Sequence, residues 1–337
     1  MGDGNNNNNL GNTTSSGGSF KRPIRRGTIE NWDSMTTAWR YVLHHELGLD
    51  PEAPEYPVVL TDSPKANPKD REKMTEIMFE TFNVPGLYVG SQAVFSLYAS
   101  GRTRGLVVEC GDGVTHSVPV FEGFALPHAT SRLDLAGSDL TSMVRSMLAE
   151  RGVAFSRSEA QSNIVRSIKE SLCQVSLAYE EEVRDAESQH YELPDGQVIS
   201  VDPHTTFGVP EALFTPSLFP GAKANGIDHG IADMVMESIS KSDGDLQPDL
   251  FSNIVLSGGS SMFPGLRARM AQEIMSRVGE DSGVDVNVIT DSQRKFASWI
   301  GGSMFGSLGT FGQIQLGRQE YNDSGASRSA AIHRKCF

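Results

Sequence analysis

The stretch from Gly105 to Val120, GLVVECGDGVTHSVPV, decides the fold. Its two halves, Gly105–Glu109 and His116–Val120, read as strands, and Cys110-Gly111-Asp112-Gly113 reads as the turn of a hairpin between them. The turn permits two readings. The glycines can serve a type I′ turn, which needs positive φ. They can instead let the backbone come close to an anion, with successive N–H groups aimed at it. The acidic Glu109 and Asp112 beside such a loop would repel a phosphate unless a divalent cation lay between them.

Working outward, the same strand–glycine–helix logic returns at Ile254–Gly265, IVLSGGSSMFPG. A buried strand runs into Gly258-Gly259, and Pro264 is expected to open a helix, so free amides would meet a ligand there. A helix expected over Ser158–Tyr179 starts with a capping-box pair, Ser158 and Gln161, and buries Ile164, Ile168, Leu172 and Val175. Arg166, Lys169 and Glu170 then fall at i, i+3 and i+4 on its polar face. Further helical periodicity covers Trp32–Leu47, Tyr88–Tyr98 and Asp139–Arg151, with a short buried strand at Tyr56–Thr61. Asn67-Pro68 has the signature of an N-cap followed by the first helical residue, and the helix after it aligns Met74, Ile77, Met78 and Phe82 on one face. Glu180–Thr206 reads as polar and irregular, with a hairpin around Pro194-Asp195-Gly196, and Phe296–Leu316 as a Gly-rich helical stretch. Strands alternating with helices give an α/β class, with helices covering the sheets.

Bulk properties narrow the function. A chain of 337 residues suits two domains or one bilobal unit. No stretch approaches the roughly 18 uninterrupted apolar residues of a membrane span. A net charge of −13 argues against non-specific nucleic-acid binding, which needs Lys and Arg to neutralise phosphates. Cys110, Cys173 and Cys336 are odd in number and far apart, which fits neither a disulfide framework nor a zinc site and points to a reducing compartment. Met1–Ser19 is almost wholly Gly, Asn, Ser and Thr, and such a segment is expected to be disordered. It holds no apolar core of a signal peptide, and Asn6 stands where a myristoylation motif wants Ser or Thr.

Several segments, in order, resemble the actin family. They are Arg71–Asn83 (REKMTEIMFETFN), Tyr98–Thr103 (YASGRT), Gly111–Val118 (GDGVTHSV), Leu133–Gly137 (LDLAG), Tyr191–Ile199 (YELPDGQVI), Val255–Gly259 (VLSGG), Lys295–Ser303 and His333–Phe337 (HRKCF). The resemblance runs collinearly from about Lys21 to the C-terminus. It implies the bilobal fold shared with sugar kinases and chaperone ATPases, in which two related α/β domains clasp ATP or ADP with Mg or Ca. The implied layout is a tail over 1–20, a first lobe from 21–99 plus 297–337, an inner part of the second lobe from 100–135 plus 223–296, and its outer part from 136–222.

The resemblance also assigns roles. Gly111, Asp112, Gly113 and Val114 match positions that hold phosphates and ribose. Lys169 and Glu170, with Arg166 beside them, match the nucleoside-binding helix, and Gly258, Gly259, Phe263 and Lys295 match the adenine side. Gln92 and His116 match residues that position the attacking water. Glu109 stands where the family has Asp near the cation's waters, and the extra methylene changes its reach. Ala99, Gly101, Phe124, Met304, Phe305 and Leu308 resemble the apolar groove in which actin-binding proteins dock a helix. Gly306, Gly309 and Gly312 stand where the family has larger residues, so a looser groove is expected.

The family's first phosphate hairpin, with its Asp-Asn-Gly-Ser-Gly turn, has no match here, and low-complexity sequence stands in its place together with the missing small outer subdomain. Each charge-assisted contact is worth roughly 1.5–3 kcal/mol, and about 1.4 kcal/mol is tenfold in affinity. Weak nucleotide binding is therefore expected, along with a need for a partner, marginal stability, or a true start lying upstream. The leading expectation is a cytoplasmic, cytoskeletal protein acting mainly through contacts with actin-binding proteins or other actin-like subunits, without nucleic acid or membrane. The alternatives are an ATP-hydrolysing filament former, if the site is completed upstream or in trans, and a nuclear subunit of a chromatin-remodelling complex. Lys21-Arg22 and Arg25-Arg26 are too sparse a basic cluster to favour the last.

Overall fold

Strands Gly105–Cys110 and Thr115–Phe121 form the expected hairpin, in antiparallel register with Glu109 opposite His116. They belong to a computed structural model that describes residues 22–50, 55–222 and 226–335. The expected tail at 1–20 and Cys336 lie outside the described residues.

In chain order the strands are β1 (Ile24–Arg25), β2 (Thr28–Ile29), β3 (Val58–Asp62), β4 (Gly86–Ser91), β5 (Gly105–Cys110), β6 (Thr115–Phe121), β7 (Phe124–Ala125), β8 (Ser131–Leu133), β9 (Gln189–Glu192), β10 (Val198–Val201), β11 (Ile254–Ser257), β12 (Val288–Ile289) and β13 (Leu316–Gly317). The large sheet runs β12-β11-β5-β6-β7, with β8 also on β6. Strand β11 pairs parallel to β5, so that Ser257 stands beside Glu109, while β6 closes antiparallel. Alternation along β5 sends Leu106, Val108 and Cys110 to one face and Val107 to the other. The first set packs with Leu140, Val144 and Ile168 from the helices Gly137–Glu150 and Glu159–Leu172. The second packs with Val118, Val120 and Val255 against Ala93 and Leu97 of the helix Gln92–Ala99. Both faces are covered, which is why the strands read as near-continuous apolar runs.

The smaller sheet has order β13-β4-β3, with β3 parallel and β13 antiparallel to β4. Met74, Ile77, Met78 and Phe82 pack there with Phe79, Leu87, Tyr321 and Ile332, as the spacing of the first four predicts. Each large apolar side chain so buried contributes about 1.5–3 kcal/mol. Asn67 caps its helix by accepting from the Lys69 amide, and Pro68 is the first helical residue. The two sheets are joined where the helix Ala297–Gly306 lies on Gln92–Ala99; a Cβ at Gly301 would sit 1.8 Å from the Phe95 carbonyl oxygen. The fold is mixed α/β, as expected.

Local readings differ in several places. The run Tyr88–Tyr98 begins as strand β4 and turns helical only at Gln92, because Gly86–Ser91 finds a partner on each side. The helix after Trp32 is α-helical to Arg40 and passes into π-helix over Tyr41–Glu46. Glu180–Thr206 contains the helix Tyr179–Asp185, the β9–β10 hairpin and the start of the helix Pro203–Glu211, which Asp202 caps. Ser158 accepts from the Gln161 amide as a cap should, but the Gln161 side chain turns to the Ser156 amide, so the capping box is not closed. That helix ends at Leu172, ahead of the expected Tyr179.

Candidate functional site

The turn between β5 and β6 is not the type I′ turn of the first reading. Neither Gly111 nor Gly113 takes the positive φ that a type I′ turn needs. They are small for the sake of approach: a Cβ on Gly113 would lie 3.2 Å from the backbone nitrogen of Arg26. The Gly111 amide donates to the Val114 carbonyl, and the Gly111 carbonyl accepts from the Gly137 amide at 3.1 Å and from Ser260 Oγ at 2.8 Å. Among the described residues the amides of Asp112 and Gly113 find no acceptor, so two N–H groups at the tip remain for a ligand.

The hairpin pressed on this turn is β1–β2, whose own turn, Arg26 at φ 45° and Gly27 at φ 76°, is the left-handed pair. The Arg26 guanidinium forks onto the Asp139 carboxylate (2.9 and 3.2 Å) and also donates to the carbonyls of Asp134 (2.8 Å) and Gly113 (3.3 Å). Arg22, at the head of this hairpin, donates through Nη1 to Asp112 Oδ2 at 2.8 Å.

A second wall comes from the end of β11. A Cβ at Gly258 would lie 2.3 Å from the Cys110 carbonyl oxygen, and its φ is +89°, so glycine is required twice over. This seats a short 3-10 turn, Gly259–Met262, directly beside the Gly111 turn. The following helix starts at Leu266 behind the left-handed Gly265, two residues later than Pro264 suggests.

The third wall is the helix Glu159–Leu172. Lys169 is only 4% exposed, not on a solvated face as its spacing suggests. Its Nζ donates to the Gly137 carbonyl (2.8 Å) and Thr141 Oγ1 (3.0 Å). Burial lowers its pKa, and the negative charge of Asp112 and Glu170 works against that shift. Arg166 is half-buried, and its Nε has no hydrogen-bond partner among the described residues.

These walls enclose a cavity of about 820 Å³. The candidate residues Asp112, Arg166, Lys169, Glu170, Gly259, Phe263 and Lys295 all line it, and so do Ser260, Met262 and Phe296. Arg22 lines it too, and nothing in its sequence neighbourhood signalled this. Gly111, Gly113, Val114 and Gly258 are not among the lining residues; the three glycines instead allow the close backbone approaches beside it.

Glu109 and His116 face each other across the hairpin. Glu109 Oε2 is buried without a hydrogen-bond partner, and burial pushes its carboxyl up to about 7. His116 is 2% exposed, its Nε2 is likewise unpartnered, and burial, with the positive charge of Arg132 and Lys65 against the negative Asp134, pushes it down to about 4. Gln92 is held elsewhere, donating to Thr61 Oγ1 at 3.3 Å. Neither Gln92 nor His116 is among the residues lining the cavity.

The residues present fit an anionic nucleotide with a hydrated cation. The volume lies within the range of ligand pockets, roughly 300–1,000 Å³. The orphaned Arg166 Nε is a group that a polyanion would satisfy, whereas Glu109, the expected cation-side carboxylate, is buried and, like Gln92 and His116, is not among the residues lining the cavity. Among the described residues no group of three or more His, Cys, Asp or Glu could hold a metal unaided. A cation here would therefore depend on ligand phosphates and water, as Mg commonly does.

Of the expected groove residues, Phe124 and Phe305 line a separate cavity of about 330 Å³, floored by Tyr88, Phe95 and Tyr98. Phe305 packs 4.6 Å from Tyr88 and 5.5 Å from Phe95 between ring centroids. Met304 and Leu308 stand exposed on the helix Ala297–Gly306 and just beyond it, while Ala99 ends the helix opposite and Gly101 turns the chain after it. No helix among the described residues is long and apolar enough to cross a membrane. Compared with known families, the chain matches the family model described as Actin over residues 6–337.

Proposed function

The chain belongs to the actin family, and from that premise we propose that it is a cytoplasmic, cytoskeletal actin-like protein acting mainly through protein–protein contacts. In this reading the cavity at Asp112 holds an adenine nucleotide with a divalent cation and turns it over slowly. The observation that carries it is the cavity itself, where Lys169, Gly259, Phe263 and Lys295 meet the phosphate turn around one space of nucleotide size. Slow turnover is inferred from the two candidate water-positioning residues, since phosphoryl transfer depends on placement. Gln92 is spent on Thr61, and His116 is buried behind the turn. The contact surface is the aromatic groove at Phe124 and Phe305, with Met304 and Leu308 exposed nearby.

The test is a titration of the purified chain with a fluorescent ATP analogue and magnesium, followed by phosphate release. Saturable binding that ATP displaces, with release much slower than binding, is the expected outcome. Lys169→Ala should weaken binding by about tenfold or more, the cost of one charged hydrogen-bonding group. No saturable binding sinks the nucleotide reading. Rapid release would favour an ATP-hydrolysing filament former over a contact protein.

A further inference from the structure

We propose that Arg22 is a phosphate-binding residue of this cavity, contributed by the β1–β2 hairpin from across the site. The proposal rests on the nucleotide reading above and adds to it a group that the family resemblance does not assign. Arg22 lines the cavity together with Lys169, Gly259 and Lys295, and so shares one space with the groups of all three walls. Its guanidinium already reaches the phosphate turn, where Nη1 meets the Asp112 carboxylate at 2.8 Å.

That reach is set by fixed backbone. The Pro23 carbonyl accepts from the amides of Glu30 and Asn31, and the hairpin turn is pinned by the Arg26 fork on Asp139. Arg22 is therefore held within reach of the turn whose Asp112 and Gly113 amides have no acceptor among the described residues.

The existing ion pair is no obstacle. Side-chain exposure is 60% at Arg22 and 51% at Asp112, and pairs this open contribute little. A guanidinium also carries five N–H donors in a planar fork, and Asp112 takes one of them among the described residues. Arg22 can keep that bond while a second edge grips phosphate oxygens, the bidentate mode in which arginine outperforms lysine. The buried Lys169 has only one N–H left after Gly137 and Thr141, so it can offer a single hydrogen bond and not a fork.

The test compares the intact chain, Arg22→Ala and Arg22→Lys in binding ATP, ADP and adenosine, each with and without magnesium, by calorimetry. Arg22→Ala should weaken ATP by about tenfold or more, as expected for one charge-assisted contact. It should leave adenosine within about twofold, and the retained adenosine binding certifies the fold. Arg22→Lys should recover only part of the loss, and pyrophosphate should compete less well against Arg22→Ala than against the intact chain. ATP binding by Arg22→Ala equal to the intact chain overturns the proposal and leaves the nucleotide reading standing. Equal loss of ATP and adenosine also overturns it, because the role would then be structural. Failure of the intact chain to bind either ligand overturns both.

Discussion

In the large sheet, strand β5 is covered on both faces, and the cavity opens at the end where β5 and β11 stop. In the small sheet, β3 stays half-buried along most of its length, and Tyr41, Leu47 and Tyr56 stand exposed around it. The contrast separates two jobs. Where the backbone is fixed from both sides, glycines, amides and Lys169 can each be held in place to within about an angstrom, the precision that positioning a small anion requires. The smaller region offers surface, along with two arginines, Arg22 and Arg26, that reach across to the turn at Asp112 and Gly113. Among the described residues the contacts between the regions include polar ones at the site and apolar packing where the helix Ala297–Gly306 lies on Gln92–Ala99 and Tyr88 meets Phe95.

The comparison breaks first if the two regions do not unfold separately. Phe79 stacks on Tyr321 at 4.4 Å and is 2% exposed in the small core. Phe79→Ala should cost about 3–5 kcal/mol. Trp32 and Trp39 pack against that same core while Trp299 is 73% exposed, so tryptophan emission reports chiefly on the small region. In a urea titration of Phe79→Ala the emission midpoint should fall well below the far-ultraviolet circular-dichroism midpoint. Coincident curves would mean one cooperative unit and would remove the contrast.

A smaller effect sits in the β5–β6 hairpin of the large region. Glu109 titrates near 7 in the folded chain against an ordinary 4.5, and His116 near 4 against 6.5. Between 4.5 and 7 the folded state keeps a proton on Glu109 that the unfolded chain has released, so this group makes stability fall as pH rises. Between 4 and 6.5 the unfolded chain carries a proton on His116 that the folded state lacks, so this group makes stability rise with pH. The two slopes nearly cancel over their shared window. With chelator present, Glu109→Gln should expose the rising slope below pH 6.5 and be the more stable protein at pH 8, by about 1–3 kcal/mol. His116→Gln should show the falling slope instead. A Glu109→Gln variant with the unchanged pH profile would show that this carboxyl is not buried as described.

What could be read from the sequence divides along the same line. Local chemistry was legible: Asn67 caps, Pro68 starts, and Met74, Ile77, Met78 and Phe82 share a face, because all of that is decided within a few residues. The hairpin at Glu109 was legible as a hairpin, but the purpose of its glycines was not, since the close neighbour is Arg26, far away in the chain. Lys169 looked solvated because its spacing fits a polar face, and only the arrival of Gly137 and Thr141 makes it a buried cation. Strand β4 was hidden inside an apolar run, as one of its partners, Leu316–Gly317, is contributed from near the other end of the chain. Arg22 gave no signal because its role depends wholly on facing Asp112, 90 residues on.

The smallest effect concerns the glycines of the C-terminal helical stretch, which composition alone treats alike. A Cβ at Gly301 would sit 1.8 Å from the Phe95 carbonyl oxygen and 2.5 Å from its carbon, so that glycine is what lets the two helices touch. Gly312 lies in the short helix Phe311–Ile314, has no positive φ, and an added Cβ would meet nothing within 4 Å. With no clash and no strain, alanine there gains helix propensity and removes backbone freedom from the unfolded chain. Gly312→Ala should therefore stabilise the protein by about 0.5–1 kcal/mol, read as a raised midpoint in the tryptophan-reported urea titration. Nucleotide binding should not change, because Gly312 lies outside the residues lining that cavity. A lowered midpoint would mean that Gly312 is packed against a neighbour or needs a backbone conformation that alanine disfavours, and that this glycine, like Gly301, is required by the fold.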